Sequence, residues 1–561
     1  MSAPRMLIVG LDAATPALVE RWAAEGRLPT LRRLIETGAY GSLRSVPNTS
    51  SPAAWSTFAT GKSPARHGIL FFTMRAAGSY AQRFVNGSMR DGAGFWRLLG
   101  DAGVRVGVMN VPMTFPAEPV NGFFISGLDA PHAGHPDFAY PPDLMARLRA
   151  SLGDFVAAGS MTEAVGHDVL AGRYEQALRK LLNRMETRTR WAEHLLDTER
   201  PDLMTVVYTE TDGAQHFFWK LMDPRHLDHD PALAARYGDA ILRVYQKADE
   251  AIARLMAHFG DGLVLVVSDH GAGLGYEARE FVAGALRAMR LIAYEQGDGA
   301  RRVPARRHLA RSAYRWLNPR LPAGVRRGLR RVIPGVIDGV KAEARDRIDW
   351  TKTRAFADTA PGEIWLNVRG RQPAGIVEPG QEYDALRHEI AEALRSCVDA
   401  DSGAPVVEAV WMREDLYQGP YADRAPDLYV QLKDTMFRAF RIGDETIAMP
   451  RRQPTNPREV MSGGHRPDGI VILHGPAARA GSRLTGARLQ DIAATILHAF
   501  GHPVPDDLDG AVLEEAFAPE WLATHPVTYG AGAAADRREV HDFTEEEAAA
   551  IQQRLRNLGY L

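Results

Sequence analysis

The chain has 561 residues, too many for one ordinary compact domain, which favours a large α/β core with an insertion, or two domains. Its formal net charge of -2 provides no overall attraction to nucleic acid or to a membrane, so we expect no nucleic-acid partner. The single cysteine, Cys397, excludes disulfides within the chain and zinc sites built from several thiolates. Any transition metal would therefore be bound by His, Asp, Glu or hydroxyl oxygen.

The N-terminal apolar run, residues 6–11, is shorter than the core of a signal peptide, and Asp12 follows it at once. The sequence has no uninterrupted apolar stretch long enough to cross a bilayer. We therefore expect the protein to be cytoplasmic.

Short apolar runs separated by helical patterns, such as residues 16–38, predict buried parallel strands. The predicted strands fall at residues 6–11, 104–111, 203–208, 263–268, 428–431 and 469–474. This alternation predicts the α/β class, with a mostly parallel central sheet and helices on both faces. In such sheets the ligand site lies beyond the carboxyl ends of the strands, and polar residues follow several of these runs directly.

The arginine-rich residues 301–331 differ from the rest of the chain, because they include eleven arginines, no acidic residue and three prolines. We interpret residues 276–348 as an inserted cap, within a catalytic core made of residues 1–275 and 349–520. Residues 521–561 form a predicted C-terminal tail that ends in a helix. Thr544 and Glu547 have the spacing of a capping box at the start of that helix.

Two motifs place a carboxylate beside an imidazole. In DGAQH, Asp212 and His216 stand four residues apart, so a helix would present both on one side as ligands of a divalent ion. In SDHG, Asp269 and His270 follow an apolar strand directly, and Gly271 lets the backbone turn sharply. Taken singly, each motif is also explained by a helix start, a surface pair or a strand-ending turn.

Three further motifs lie at strand ends or in adjoining loops. Asp12 follows the first strand in VGLDAATP, where it could equally cap a helix, and His465 lies in the glycine-rich loop GGHRPDG. In NTSSPAAWSTFATG, Ser50 and Ser51 precede a predicted helix. A hydroxyl at a helix N-terminus is well placed for phosphate and for a developing alkoxide. Alternatively, either serine could serve only as the N-cap of that helix.

In their order along the chain, these five motifs resemble those of the type I phosphodiesterase/nucleotide pyrophosphatase family, a branch of the alkaline phosphatase superfamily. The likeness covers about residues 5–275 and 350–515. It implies an alkaline phosphatase-like core and a hydrolase of phosphate esters. It further implies a phosphodiesterase or nucleotide pyrophosphatase that acts on a small phosphate ester or nucleotide through a covalent phosphoseryl intermediate.

The resemblance also implies two divalent metal ions. Zinc is favoured and manganese is the alternative, because Asp and His ligands suit these ions better than magnesium. The family's spacing before Thr60 assigns the nucleophile to Ser51, with Ser50 as the fallback. The implied ligands are Asp212, His216 and His465 for one ion, and Asp12, Asp269, His270 and Ser51 for the other.

The chain departs from the family near His67. Nucleotide pyrophosphatases of the family carry an asparagine shortly after the His-Gly-Ile turn, whereas here Ile69 is followed by Leu-Phe-Phe-Thr. This departure argues against a nucleotide pyrophosphatase in the narrow sense. Phe72 and Tyr208 lie near the motifs in sequence, and we consider them as candidates for lining a substrate pocket.

Other functions stay open at this stage. A phosphomonoesterase or a phosphomutase of the same superfamily would use the same hydroxyl nucleophile. A binding protein associated with a membrane or with nucleic acid would use residues 301–331 to contact anionic groups, although a solvated cap over the active site is the favoured interpretation of that segment. A formylglycine sulfatase is disfavoured, because Ala54 stands where that family requires arginine.

Overall fold

The structure is a computed structural model that describes residues 4–75, 78–153, 165–275, 278–294, 348–357, 360–449, 454, 457–532 and 539–558. The arginine-rich residues 301–331 lie outside these ranges, so the inserted cap and its role remain predictions. Within the ranges described, no helix is both long enough and apolar enough to cross a membrane.

The chain alternates strands and helices over most of its length. The strands are β1 (Met6–Leu11), β2 (Ala39–Arg44), β3 (Thr73–Arg75), β4 (Gln82–Phe84), β5 (Val106–Val111), β6 (Gly122–Ser126), β7 (Ala139–Tyr140), β8 (Leu203–Tyr208), β9 (Leu263–Val267), β10 (Gly271–Leu274), β11 (Ala355–Ala357), β12 (Glu363–Leu366), β13 (Val398–Asp399), β14 (Val407–Met412), β15 (Leu428–Leu432), β16 (Ala439–Ile442), β17 (Glu445–Ala448), β18 (Gly463–Arg466), β19 (Asp468–His474), β20 (Ser482–Leu484), β21 (Val504–Pro505) and β22 (Tyr529–Gly530). The α-helices are α1 (Pro16–Ala24), α2 (Pro29–Thr37), α3 (Ser51–Thr60), α4 (Pro64–His67), α5 (Phe95–Asp101), α6 (Leu144–Leu152), α7 (Tyr174–Glu199), α8 (Glu210–Met222), α9 (Pro231–Tyr237), α10 (Ala240–Phe259), α11 (Ala278–Ala288), α12 (Gln381–Arg395), α13 (Arg413–Leu416), α14 (Asp491–Ala499), α15 (Pro519–Thr524) and α16 (Glu545–Leu558). Short 3-10 helices lie at Gly87–Met89, Pro136–Phe138, Ala422–Arg424, Pro457–Val460 and Glu514–Ala516.

A nine-stranded sheet forms the centre of the molecule, with the spatial order β20-β2-β19-β9-β1-β8-β5-β6-β7. Five of its pairings are parallel, namely β1–β8, β1–β9, β2–β20, β5–β6 and β5–β8. The other three are antiparallel, namely β19–β2, β19–β9 and β6–β7. The predicted α/β class with a mostly parallel central sheet is therefore confirmed.

Side chains of the central strands alternate between two hydrophobic cores, one on each face of the sheet. Leu7 and Val9 of β1 pack in a core with α1, α2, α7, α8 and α10. Met6 and Ile8 point to the other face and pack with α3, α5 and α14. Because helices cover both faces, every residue of β1 is buried, which explains why this strand reads as a continuous apolar run.

Two predicted strands were assigned to the wrong arrangement. The strand predicted at residues 469–474 is β19, which belongs to the central sheet but runs antiparallel to both neighbours. The strand predicted at residues 428–431 is β15, which belongs to a separate antiparallel sheet with the order β11-β12-β15-β14. An apolar run indicates burial on both faces, and it carries no information on strand direction.

Two predictions about helices have different outcomes. The single helix predicted over residues 16–38 is wrong, because Gly26 takes a left-handed φ of 71° and Pro29 begins a new helix. The capping box of the terminal helix is confirmed. Thr544 N donates to Glu547 Oε2 at 2.8 Å, and Glu547 N donates to Thr544 Oγ1 at 3.3 Å.

A small domain follows β10 along the chain. Helix α11 precedes the arginine-rich segment, and it shares a third hydrophobic core with the later elements β11, β12, β14, β15, β16 and α12. In that core the rings of Phe281 and Phe440 lie 4.6 Å apart between centroids. The predicted boundaries at 276, 349 and 520 stay predictions, and this shared core joins residues on both sides of the segment in one packing unit.

The strand directions bring several loops to one edge of the central sheet. β1, β8 and β9 are parallel, so their carboxyl ends lie together. β2 also ends there, because Arg44 pairs with Asp468 at the start of the antiparallel β19. Strand β18 immediately precedes β19, so it reaches the same edge.

Candidate active site

The first group of predicted metal ligands comes from the ends of β1 and β9. Asp12 follows β1, while Asp269 and His270 follow β9, and all three side chains are buried. His270 Nε2 lies 3.6 Å from Asp12 Oδ1 and 3.3 Å from Asp269 Oδ2. Each residue offers one ligand atom, and these atoms lie within 4.8 Å of one another, a spacing that a single metal ion could bridge.

The second group of predicted ligands combines helix α8 with strand β18. Asp212 and His216 lie one turn apart on α8, and His216 Nε2 is 3.1 Å from Asp212 Oδ1. His465 Nε2 lies 3.1 Å from His216 Nε2 and 3.5 Å from Asp212 Oδ1. The two groups touch, because the rings of His270 and His465 stack with centroids 3.8 Å apart. The structure thus brings all six predicted Asp and His ligands together.

Strand β18 makes close contacts with both β10 and α8. Ala272 of β10 pairs with His465, which aligns β18 beside the end of β9. Gly463 passes so near α8 that a Cβ atom there would lie 2.2 Å from the carbonyl oxygen of Gln215. Only glycine fits at that distance, which gives the GGH motif a steric reason.

The three histidines share one orientation. Each uses Nδ1 to donate to a backbone carbonyl, so Nε2 is the ring nitrogen that could bind a cation. The carbonyl acceptors are Gly463 for His216 at 2.7 Å, Gly271 for His270 at 3.0 Å and Thr49 for His465 at 2.7 Å.

The carboxylates of this site fit a divalent cation. Asp12 Oδ1 and Asp269 Oδ2 are buried and have no hydrogen-bond partner in the part of the chain that the structure describes. Two imidazole lone pairs 3.1 Å apart, on His216 and His465, also repel one another unless a proton or cation lies between them. Bound cations would satisfy both oxygens and both nitrogens, and a mixed set of carboxylate and imidazole donors suits zinc or manganese.

Burial and charge set the protonation of the ligands in the absence of a cation. Burial, together with the charges of Asp269 and Asp212, holds the pKa of Asp12 well above its usual range, and burial has the same effect on the pKa of Asp269. Burial alone would raise the pKa of Asp212, but His216 and His465 outweigh it and hold that pKa well below its usual range. Burial also lowers the pKa of His270, which therefore stays neutral.

Ser51 lies beside the first group of ligands. It is the first residue of the buried helix α3, and its Oγ is 3.2 Å from His270 Nε2. Ser50 occupies the N-cap position, but its side chain makes no capping hydrogen bond, and its buried Oγ has no partner among the described residues. Thr49 precedes them with a left-handed φ of 46°, unusual for a β-branched residue, and this turn carries the carbonyl that His465 contacts.

Trp55 is a residue of the site that the sequence analysis missed. It lies one turn after Ser51 on α3, and its Nε1 donates to Asp12 Oδ2 at 3.2 Å. Gly10 makes room for it, since a Cβ atom at Gly10 would lie 2.6 Å from the indole ring. The available signal was the four-residue spacing from Ser51, which puts Trp55 on the same helix face.

The two residues considered for a substrate pocket are both buried in packing contacts. Tyr208 is fully buried, and its hydroxyl is 2.9 Å from Thr189 Oγ1, because alternation along β8 points its side chain into the core rather than beyond the sheet edge. Phe72 packs against Phe71, with ring centroids 5.5 Å apart, and against Leu555 of the terminal helix. Because the Tyr208 side chain points into the core, its position argues against the expected role in lining a substrate pocket.

Comparisons with known proteins found two similar solved structures. Two crystal structures of phosphonoacetate hydrolase from Sinorhizobium meliloti 1021, one in complex with phosphonoformate and one with phosphonoacetate, are similar to this chain. In each case the identity is 16%, the TM-score is 0.43, and the alignment covers 89% of this chain and 95% of that chain. Among curated protein sequences, none matches significantly.

The family assignment comes from the sequence. The family model described as type I phosphodiesterase / nucleotide pyrophosphatase matches residues 6–454. His465 lies beyond this match, so its place in the site is supported by geometry alone. Because the match covers most of the chain, the protein belongs to the type I phosphodiesterase/nucleotide pyrophosphatase family, and it is a phosphoric ester hydrolase.

Proposed function

We propose that this hydrolase cleaves a phosphodiester through a covalent phosphoseryl intermediate on Ser51, at a centre that binds two divalent ions. One observation carries most of the argument: the Ser51 hydroxyl, three imidazole nitrogens and three carboxylates meet at one edge of the sheet. The proposed ligands are Asp212, His216 and His465 for one ion, and Asp12, Asp269, His270 and Ser51 for the other.

The fold holds the proposed nucleophile and metal ligands in fixed positions. Bound divalent ions would neutralise the phosphate oxygens and stabilise the attacking and leaving oxygens. Ser51 stands at the N-terminus of α3, where the helix dipole favours phosphate. Histidine side chains held through Nδ1 cannot rotate away, so their Nε2 atoms keep a fixed geometry.

The proposed reaction has two displacements. The Ser51 Oγ forms a bond to phosphorus while the bond from phosphorus to the leaving oxygen breaks, and a proton passes from the Ser51 hydroxyl through water to the leaving oxygen, which departs as an alcohol. Water then attacks the phosphoserine, the Oγ–phosphorus bond breaks, and the Ser51 hydroxyl is restored. The balance is one diester and one water consumed, and one alcohol and one monoester produced.

Hydrolysis of two synthetic esters tests this proposal. The protein is loaded with zinc, and separately with manganese, and bis-p-nitrophenyl phosphate is compared with p-nitrophenyl phosphate. We expect the diester to be cleaved preferentially, with zinc as the better ion. Preference for the monoester would favour a phosphatase or a phosphomutase instead, and a protein that binds neither ion would contradict the proposal.

Two serine variants separate the nucleophile from its neighbour. Ser51→Ala should lower turnover on the order of 10³-fold or more, because the attacking oxygen is lost. Ser50→Ala is the matched control: it removes an adjacent buried hydroxyl that has no partner among the residues described. Ser50→Ala should keep activity near that of the parent, and the reverse pattern would move the nucleophile to Ser50.

A further inference from the structure

Three side chains that could bind a metal ion lie together outside the proposed catalytic centre. They are His135, which precedes a short 3-10 helix, and His541 and Glu547 from the C-terminal segment. Each offers one ligand atom, and these atoms lie within 4.8 Å of one another. His135 Nε2 is 2.9 Å from Glu547 Oε1, and His541 Nε2 is 3.8 Å from Glu547 Oε2. We call these three side chains the tail cluster.

The spacing within the tail cluster is that of ligands around a single ion. Nitrogen and oxygen ligands lie about 2.1 Å from zinc, so two of them in a tetrahedral site are about 3.4 Å apart. The two distances of the tail cluster lie on either side of this value. The same is true in the proposed catalytic centre, where Asp212 Oδ1 lies 3.1 Å from His216 Nε2 and 3.5 Å from His465 Nε2. Two imidazoles and one carboxylate are a ligand set that zinc uses, with a fourth position left for water.

His541 presents a buried nitrogen from a fixed backbone. Its Nε2 has no hydrogen-bond partner in the part of the chain that the structure describes. Its backbone N–H donates to Ser88 Oγ at 2.9 Å, and its carbonyl accepts from Nδ2 of the fully buried Asn86 at 2.8 Å. A cation in the tail cluster would satisfy this nitrogen without any movement of the chain.

The other two side chains of the tail cluster are also held in place. Thr544 N donates to Glu547 Oε2 at 2.8 Å in the capping box, so Oε1 is the oxygen nearest to His135. Asp137 N donates to His135 Nδ1 at 3.1 Å, so in this neutral ring Nε2 carries the hydrogen and donates to Glu547. An ion at Nε2 requires the other tautomer, with the hydrogen on Nδ1, which lies 3.9 Å from Asp137 Oδ2. A carboxylate behind the second nitrogen is common among metal-binding histidines.

Aromatic rings flank the two histidines of the tail cluster. The ring centroid of the fully buried Phe115 lies 5.0 Å from that of His135 and 5.2 Å from that of His541. The ring of Phe543 lies 5.6 Å from that of His541. Apolar neighbours lower the local dielectric constant, so the attraction between an ion and Glu547 is stronger there than in water.

We propose that the tail cluster is a third metal site, which binds one zinc ion and fastens the C-terminal segment to the core. The inference goes beyond the proposed function and does not depend on it, because none of the three ligands belongs to the proposed catalytic centre. The ion would hold the first turn of α16. Farther along the same helix, Ile551 and Leu555 pack with Phe71 and Phe72 of the core.

Measurement of the zinc content tests the site. The full-length protein is saturated with zinc, dialysed and analysed by atomic absorption, together with His541→Ala and Glu547→Gln. Glu547→Gln removes the carboxylate charge but keeps an oxygen for the capping hydrogen bond. We expect each variant to hold one zinc ion fewer per chain than the parent, whatever the occupancy of the catalytic centre. The control is His388→Ala, which removes an exposed histidine of α12 and should leave the zinc content unchanged.

Hydrogen exchange tests whether the ion fastens the C-terminal segment. At a free zinc concentration of about ten times Kd, the amides of α16 should exchange about tenfold more slowly than in chelator-treated protein. The slowing should disappear in His541→Ala, whose catalytic centre still binds zinc. Equal zinc content in the parent and both variants, the same loss in His388→Ala, or slowing that persists in His541→Ala would overturn the proposal.

Discussion

The indole Nε1 of Trp55 donates a hydrogen bond of 3.2 Å to Oδ2 of Asp12, and this bond joins the helix of the proposed nucleophile to the strand that carries a proposed metal ligand. Both residues are buried. Because Oδ2 is occupied by the indole, Oδ1 is the oxygen left to face a cation. Contacts of this kind orient metal ligands, so Trp55 is a positioning residue of the site.

Trp55→Phe should weaken metal binding without disrupting the core. The variant keeps an aromatic ring but removes the donor to Asp12, and we expect affinity for the ion at Asp12 to fall about 10- to 100-fold in a calorimetric titration. Trp96→Phe is the control, since the buried Nε1 of Trp96 has no acceptor in the described ranges. Unchanged affinity in Trp55→Phe would contradict the positioning role.

Gly10→Ala should destabilise the protein through the same contact. A Cβ atom at Gly10 would lie 2.6 Å from Cη2 of Trp55 and 2.8 Å from Cγ2 of Val207. Overpacking of this kind costs about 1–3 kcal/mol in the free energy of unfolding, which urea denaturation measures. At Gly100 of helix α5 the nearest atom would be 3.5 Å away, so Gly100→Ala should be neutral or stabilising. Equal stability of the Gly10 variant and the parent would refute the steric argument.

Removal of the metal should destabilise the protein more at higher pH. Burial and neighbouring carboxylates raise the pKa of Asp12 and of Asp269 in the folded, metal-free protein above their unfolded values. A raised folded-state pKa means that stability is lost as pH rises from about 4, the ordinary pKa of Asp, through the raised values. Bound cations would compensate these charges.

The measurement is the Tm of metal-loaded and chelator-treated protein across pH. We expect the difference between the two Tm values to widen from about pH 5 to about pH 8, because only the metal-free form suffers the uncompensated charges. A difference that is constant or narrows with rising pH would argue against a cation at these carboxylates.

The residues most readily predicted from sequence are those whose position depends on local structure. Asp12 and Asp269 follow apolar strands directly, so strand prediction alone places both at the carboxyl edge of a parallel sheet. Asp212 and His216 share a helix face through their spacing. The order of the motifs gave the family, which the match over residues 6–454 shows.

The features that escaped prediction depend on contacts between distant segments. The hydrogen bond between Trp55 and Asp12 joins two elements that lie close together only in the folded chain. The one trace of this contact in the sequence is Gly10, because a side chain at that position would collide with Trp55. An apolar run does not indicate strand direction, so the antiparallel direction of β19 could not be predicted. This direction brings the preceding strand β18, and with it His465, to the edge of the sheet where the site lies. The direction of the Tyr208 side chain also escaped prediction, because nearness to a motif in sequence does not tell which way a strand residue points.

The most direct test of the account is to find the covalent intermediate. The metal-loaded enzyme is quenched with acid during turnover of bis-p-nitrophenyl phosphate, and the modified peptide is identified by mass spectrometry. We expect a phosphoryl group carrying one p-nitrophenyl ester on Ser51, present in Ser50→Ala and absent from Ser51→Ala. An adduct on Ser50, or continued turnover by Ser51→Ala, would contradict it.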